Sequence, residues 1–197
     1  MKAATGNVNT HKGAIFSLGI CLSATGYLQQ QAKLDAAQLS RVIKAMLTGL
    51  VAKDFAKLDQ KPKATLTNGE KLYLQYGLAG IRGEAEAGYP SIFKVGLPFL
   101  QHTSGTWNER LVNTLLKLIS ISEDSNLVKR SGQLATLRQV QASAQAILDQ
   151  GGMQTATGRQ LLAKLNQQAN GGNYSLGGSA DLLIVTIYLY LLFATNN

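Results

Sequence analysis

The chain has 197 residues, of which 45% are hydrophobic and 15% charged, a balance that excludes a disordered chain and provides for one domain with a sizeable core. A single cysteine, Cys21, and two histidines, His11 and His102, exclude a disulfide framework and any cysteine-based zinc or iron–sulfur centre, so a metal would have to be held by oxygen. Nineteen Lys and Arg against eleven Asp and Glu give a net charge of +8 and point to an anionic partner.

Nucleic acid is not the expected partner, because the basic residues are scattered from Lys2 to Lys164 and no nucleic-acid-binding signature appears. The apolar run from Ala14 to Leu22 resembles a signal peptide but lacks a small residue before Cys21 and a good cleavage site. The expected location is the cytoplasm. No membrane association is expected either, since the C-terminal apolar run Leu182 to Ala194 is short of the ~20 residues that span a bilayer.

In chain order, an apolar helix is predicted over Ala14–Tyr27. A second begins at the N-cap Asp35 and carries Leu39, Ile43, Met46, Leu50 and Val51 at helical spacing. A lysine-rich linker with Pro62 leads to Thr67 and Glu70, a capping box for a helix that runs through Tyr76 and is closed by Gly77. Further helices are expected at Ser91–Leu100, Asn108–Ile121, Gln133–Gln150 and Thr155–Ala169, and no strand alternation competes with them. The sum is an all-α single domain over residues 1–197 with about seven to nine helices.

Three glycine-rich segments interrupt this pattern: Thr5–Gly13, Gly77–Pro90 and Gly171–Asp181. In the first, Asn9, Thr10, His11 and Lys12 open directly onto a helix, where free backbone N–H groups and the dipole suit a phosphate; an ordinary helix cap explains the same pattern. In the second, Arg82, Glu84 and Glu86 stand between glycines. On a helix the two glutamates would diverge by about 200°, whereas an extended segment could turn them to one side for a joint metal or acid–base role. In the third, Asp181 stands at the mouth of the most apolar helix, either as a first-turn acid or as a carboxylate for Mg²⁺. The three loops are expected to form one cleft.

The runs Asn9-Thr10-His11-Lys12-Gly13-Ala14-Ile15-Phe16-Ser17-Leu18-Gly19, Gly80-Ile81-Arg82-Gly83-Glu84-Ala85-Glu86 with Gly88-Tyr89-Pro90, and Gly177-Gly178-Ser179-Ala180-Asp181 resemble, in order and spacing, the triphosphoribosyl-dephospho-CoA synthase family of the CitG/MdcB type. Glu123-Asp124-Ser125-Asn126 and Arg130-Ser131-Gly132 extend the resemblance. It implies a cytoplasmic all-helical transferase that joins ATP to 3′-dephospho-CoA with release of adenine, giving the precursor of the prosthetic group on the acyl carrier subunit of citrate lyase or malonate decarboxylase.

Carried onto this sequence, the resemblance implies that Asn9, Thr10, His11, Lys12, Arg82, Arg130 and Ser179 contact the nucleotides. It gives catalytic work to Glu84, Glu86 and Asp181, and Mg²⁺ to Glu84, Asp124 and Asp181. Relative to the family's pattern, the chain corresponds to the C-terminal two thirds of the helical domain. Self-association or a requirement for an upstream fragment is therefore expected. A non-catalytic remnant and a nucleotide N-glycosidic hydrolase are the alternative readings.

Overall fold

The structure is a computed structural model that describes residues 11–31 and 34–194. Among these residues there are helices and turns and no strand. Seven helices have nine residues or more: α1 (Lys12–Gln29), α2 (Ala36–Met46), α4 (Asn68–Tyr76), α7 (Trp107–Ile121), α9 (Leu134–Asp149), α10 (Ala156–Gly171) and α11 (Gly177–Ala194). Four shorter ones lie between them: α3 (Leu50–Asp54), α5 (Gly80–Glu86), α6 (Leu97–His102) and α8 (Ser125–Ser131).

Local chemistry accounts for most boundaries. Asp35 caps α2 by accepting from the Gln38 N–H at 2.8 Å. Thr67 with Glu70 and Thr106 with Glu109 form reciprocal capping boxes at α4 and α7. Gly77 closes α4 in the left-handed region at φ 71°.

Several expectations are corrected. The second predicted helix does not run through Val51: Gly49, at φ 82°, breaks it and starts α3. The start of Ser91–Leu100 is a π-helical stretch, Ser91–Gly96, ahead of α6. The segments expected as glycine-rich loop at 77–90 and 171–181 contain helix α5 and the first turn of α11, and α8 was not predicted at all.

Two apolar clusters hold the helices. One gathers Cys21, Ala24 and Leu28 of α1, Leu39 and Ile43 of α2, and Leu182, Val185 and Leu189 of α11. The other gathers Leu116 and Ile119 of α7, Leu127 and Val128 of α8, and Leu137, Val140 and Ile147 of α9, with Leu165 of α10. Helix α11 is 18 residues, longer than its apolar run, and by length and composition it could cross a membrane. Here it packs along α1 and also meets α6, α7 and α8.

Candidate active site

A cavity of about 920 Å³ opens where the first turns of α1, α5, α8 and α11 come together. A helix start carries a partial positive charge, and at α1, α8 and α11 carboxylates of the chain itself meet it: Asp181 at Ala14, and Asp124 at Asn126, Leu127 and Ser179. Lys12 of α1, Arg82 of α5, and Lys129 and Arg130 of α8 stand in its wall with Glu84, Asp124 and Asp181. The size fits a nucleotide-sized ligand.

Glycines let these helix ends meet. A Cβ on Gly13 would fall on the Asp181 carboxylate, and one on Gly178 would lie 3.0 Å from Asp124 Oδ1. Asp181 therefore reaches α1 and accepts from the Ala14 N–H. No acidic residue of α1 itself occupies its first turn, so the anion at this helix terminus comes from α11. Burial first, and then the charge of Asp124, raise the Asp181 carboxyl to about 6, against the lowering effects of the Ala14 N–H and His11.

Asp124 is 2% exposed. Its Oδ1 accepts from the Asn126 and Leu127 N–H groups at 3.0 and 3.3 Å, capping α8. Its Oδ2 accepts from the Ser179 N–H at 2.8 Å and the Ser179 hydroxyl at 3.0 Å, so one carboxylate joins two helix N-termini. Burial nevertheless pushes its pKa upward. The buried Ser179 hydroxyl also lies 2.9 Å from that of Ser122. Ser179 is thus a structural neighbour of the cavity rather than part of its wall.

Because residues 80–86 are helical, Glu84 and Glu86 point apart. Glu84 lines the cavity and accepts from the Ser91 hydroxyl at 2.6 Å; burial raises its pKa, with the Ser91 hydrogen bonds acting in the opposite direction. Glu86 accepts from the Gly49 and Val51 N–H groups at 2.8 and 2.9 Å, capping α3. The backbone thus takes the helical alternative, in which the two glutamates diverge, and Glu86 has a structural task away from the cavity wall. Arg82 is bound to Asp54 of α3 and lies over the Phe55 ring at 5.9 Å.

The predicted residues Lys12, Arg82, Glu84, Asp124, Arg130 and Asp181 are thus gathered around one cavity. His11 is the N-cap residue of α1, and Asn9 and Thr10 lie outside the described residues. Sequence reasoning assigned no role to Lys129, although it adjoins Arg130, or to Phe16 and Ile121, which also line the cavity.

The donor set does not fit a metal held by the protein. Among the described residues no three His, Cys, Asp or Glu side chains cluster as ligands, and both Asp124 oxygens already accept from N–H groups. Glu84, Asp124 and Asp181 therefore do not form the expected three-carboxylate Mg²⁺ site.

The family described as CitG, ATP:dephospho-CoA triphosphoribosyl transferase, matches residues 1–197. A probable 2-(5′′-triphosphoribosyl)-3′-dephosphocoenzyme-A synthase of Lactiplantibacillus plantarum is 48% identical over 97% of this chain and 67% of its own length. Protein CitXG of Leuconostoc mesenteroides subsp. cremoris is 40% identical over 96% of this chain and 41% of its own. A probable synthase of the first kind from Citrobacter koseri is 39% identical over 100% of this chain and 65% of its own. The chain therefore spans between about two fifths and two thirds of the length of these relatives. No solved structure matches. With a family match along its whole length, the chain belongs to the ATP:dephospho-CoA triphosphoribosyl transferases.

Proposed function

We propose that this cavity binds ATP and 3′-dephospho-CoA and exchanges the adenine of ATP for a ribose hydroxyl of the acceptor, giving 2′-(5′′-triphosphoribosyl)-3′-dephospho-CoA. The observation that carries the reading is the gathering of Lys12, Arg82, Lys129 and Arg130 in the wall of one cavity, an arrangement suited to polyphosphate. The ATP arrives as its magnesium complex, the ion being part of the substrate.

In the transfer, the bond between C1′ of the ATP ribose and N9 of adenine breaks, and a bond forms between C1′ and the acceptor 2′-oxygen. The triphosphate stays on the transferred ribose. The hydroxyl proton must leave and the departing adenine must gain one, while positive charge develops at C1′. Glu84 and Asp181 are the cavity carboxyls whose burial raises their proton affinity without closing off all access, and we assign the two proton movements to this pair. Asp124, saturated by N–H and O–H donors, holds the α8 and α11 termini in place.

Residues Ile15 and Leu22 on α1 and Ile184 and Leu191 on α11 are exposed, which supports self-association or contact with a further segment. The reading is tested by incubating the protein with γ-labelled ATP and magnesium, with and without 3′-dephospho-CoA. Label appearing on the acceptor with one adenine released per transfer supports it. Adenine release that ignores the acceptor supports a hydrolase, and no release or transfer either by the chain alone or with a separately expressed upstream fragment contradicts the proposal.

A further inference from the structure

We propose that Phe16 is the platform on which an adenine ring stacks in this cavity, so that the first two turns of α1 hold phosphate at one end and base at the other. The proposal rests on the functional reading above and adds the location of base recognition to it.

Helix geometry places Phe16 there. Lys12, Gly13 and Phe16 line the cavity, with Phe16 one turn beyond Lys12, whereas Ala14, Ser17 and Cys21 are buried on the core side of the same helix. Phe16 is half-buried: it packs against the core cluster and contributes to the cavity wall. Among the described residues it is the only aromatic side chain in that wall.

The surrounding chemistry is divided. Lys12 and the α8 cations Lys129 and Arg130 suit phosphate, and of the three only the planar Arg130 guanidinium could also lie against the flat faces of a purine. The apolar surface available for those faces is Phe16 with Ile81 and Ile121. Ile121 remains 39% exposed at the end of α7, an apolar side chain left uncovered beside a charged cavity. A π-ring with an aliphatic surround recognises an aromatic base by stacking, which a triphosphate or a flexible acyl chain cannot reproduce. Both ATP and 3′-dephospho-CoA carry adenine, so the ligand chemistry has two sources.

The test uses Phe16→Trp in a Trp107→Phe background. Trp107 is the protein's one tryptophan and lies against Tyr190, outside the cavity wall, so its removal leaves residue 16 as the sole indole reporter. ATP, 3′-dephospho-CoA and inorganic triphosphate are titrated separately, with binding to the wild type followed in parallel by calorimetry. Quenching by ATP alone identifies the transferred nucleotide's base as the stacked ring; quenching by 3′-dephospho-CoA alone identifies the acceptor's. Inorganic triphosphate should bind without quenching. Phe16→Leu, which keeps apolar volume against the core but removes the π-face, should weaken binding of the same nucleotide at least about tenfold, and Phe16→Tyr should retain it.

Nucleotide binding seen by calorimetry without quenching, or unchanged affinity in Phe16→Leu, would overturn the proposal and leave the functional reading intact. Absence of any ATP or 3′-dephospho-CoA binding by the wild type would overturn the functional reading, and the stacking role with it.

Discussion

The carboxylate of Asp181 occupies the space that a side chain on Gly13 would fill, and from there it accepts the Ala14 N–H at the start of α1. The two glycine-rich motifs that contain these residues are 168 positions apart in sequence, yet they form one contact at the cavity wall.

Gly13→Ala separates helix propensity from this contact. In an unobstructed helix interior the change would stabilise by roughly 1 kcal/mol. Here the new methyl displaces the Asp181 carboxylate, so we expect a lower melting temperature and transfer activity reduced at least about tenfold, the scale of a misplaced catalytic group. A thermal melt with a turnover assay on the same preparation checks both signs.

Asp181→Asn should exchange activity for stability. Burial and the neighbouring Asp124 raise the folded Asp181 to about 6, while an unfolded aspartate titrates near pH ~4. Between these values the folded state binds more protons than the unfolded one, so this group makes stability fall as pH rises from ~4 to ~6 and then level off. Asp124, His11, Tyr89, Lys12 and Glu84 are among the other ionisable groups around it. The variant should show a flatter stability profile across that window and should be more stable than wild type above pH ~7. Urea denaturation at several pH values measures this.

Asp124→Ala should behave in the opposite way. It removes the acceptor for two N–H groups of α8 and for the N–H and hydroxyl of Ser179 in a site that is almost fully buried. A loss of about 2–4 kcal/mol is expected from the lost cap and charge-assisted hydrogen bonds. The α8 and α11 termini should loosen, which amide exchange at Leu127 and Ser179 would register.

The helical grammar was largely legible in the sequence. Thr67 with Glu70, Asp35 before the Leu39 and Ile43 stripe, and Gly77 after Tyr76 each carry a local signal that tertiary contacts did not override. The short helices were not legible, because α5 and α8 have only seven residues each and their glycines and polar residues read as loop. That misreading affected the site directly. Whether Glu84 and Glu86 act together depends on the local backbone, and the helix sends Glu84 to Ser91 and Glu86 to α3. The function of Asp124 was likewise hidden, since the Ser179 donors that occupy it come from 55 residues away. The gathering of Lys12, Arg82, Glu84 and Asp181 at one cavity followed the motifs, because glycine accompanies them wherever helix ends approach closely.

Glu84→Gln and Glu86→Gln provide an internal contrast. Glu84→Gln keeps size in the cavity but removes the proton-accepting carboxylate, so turnover should fall by about 100-fold with the fold retained. Glu86→Gln weakens the α3 cap by about 1 kcal/mol and should leave turnover within about threefold of wild type at a temperature where both are folded. Initial rates and thermal melts on the pair distinguish the two tasks.

The most direct measurement is adenine release from ATP, followed by chromatography, for wild type, Asp181→Asn and Glu86→Gln, each with and without 3′-dephospho-CoA. The account predicts release by the wild type only when the acceptor is present, a loss of at least about 100-fold in Asp181→Asn, and near-normal release in Glu86→Gln. Release that does not need the acceptor, or an Asp181→Asn protein as active as wild type, would contradict it.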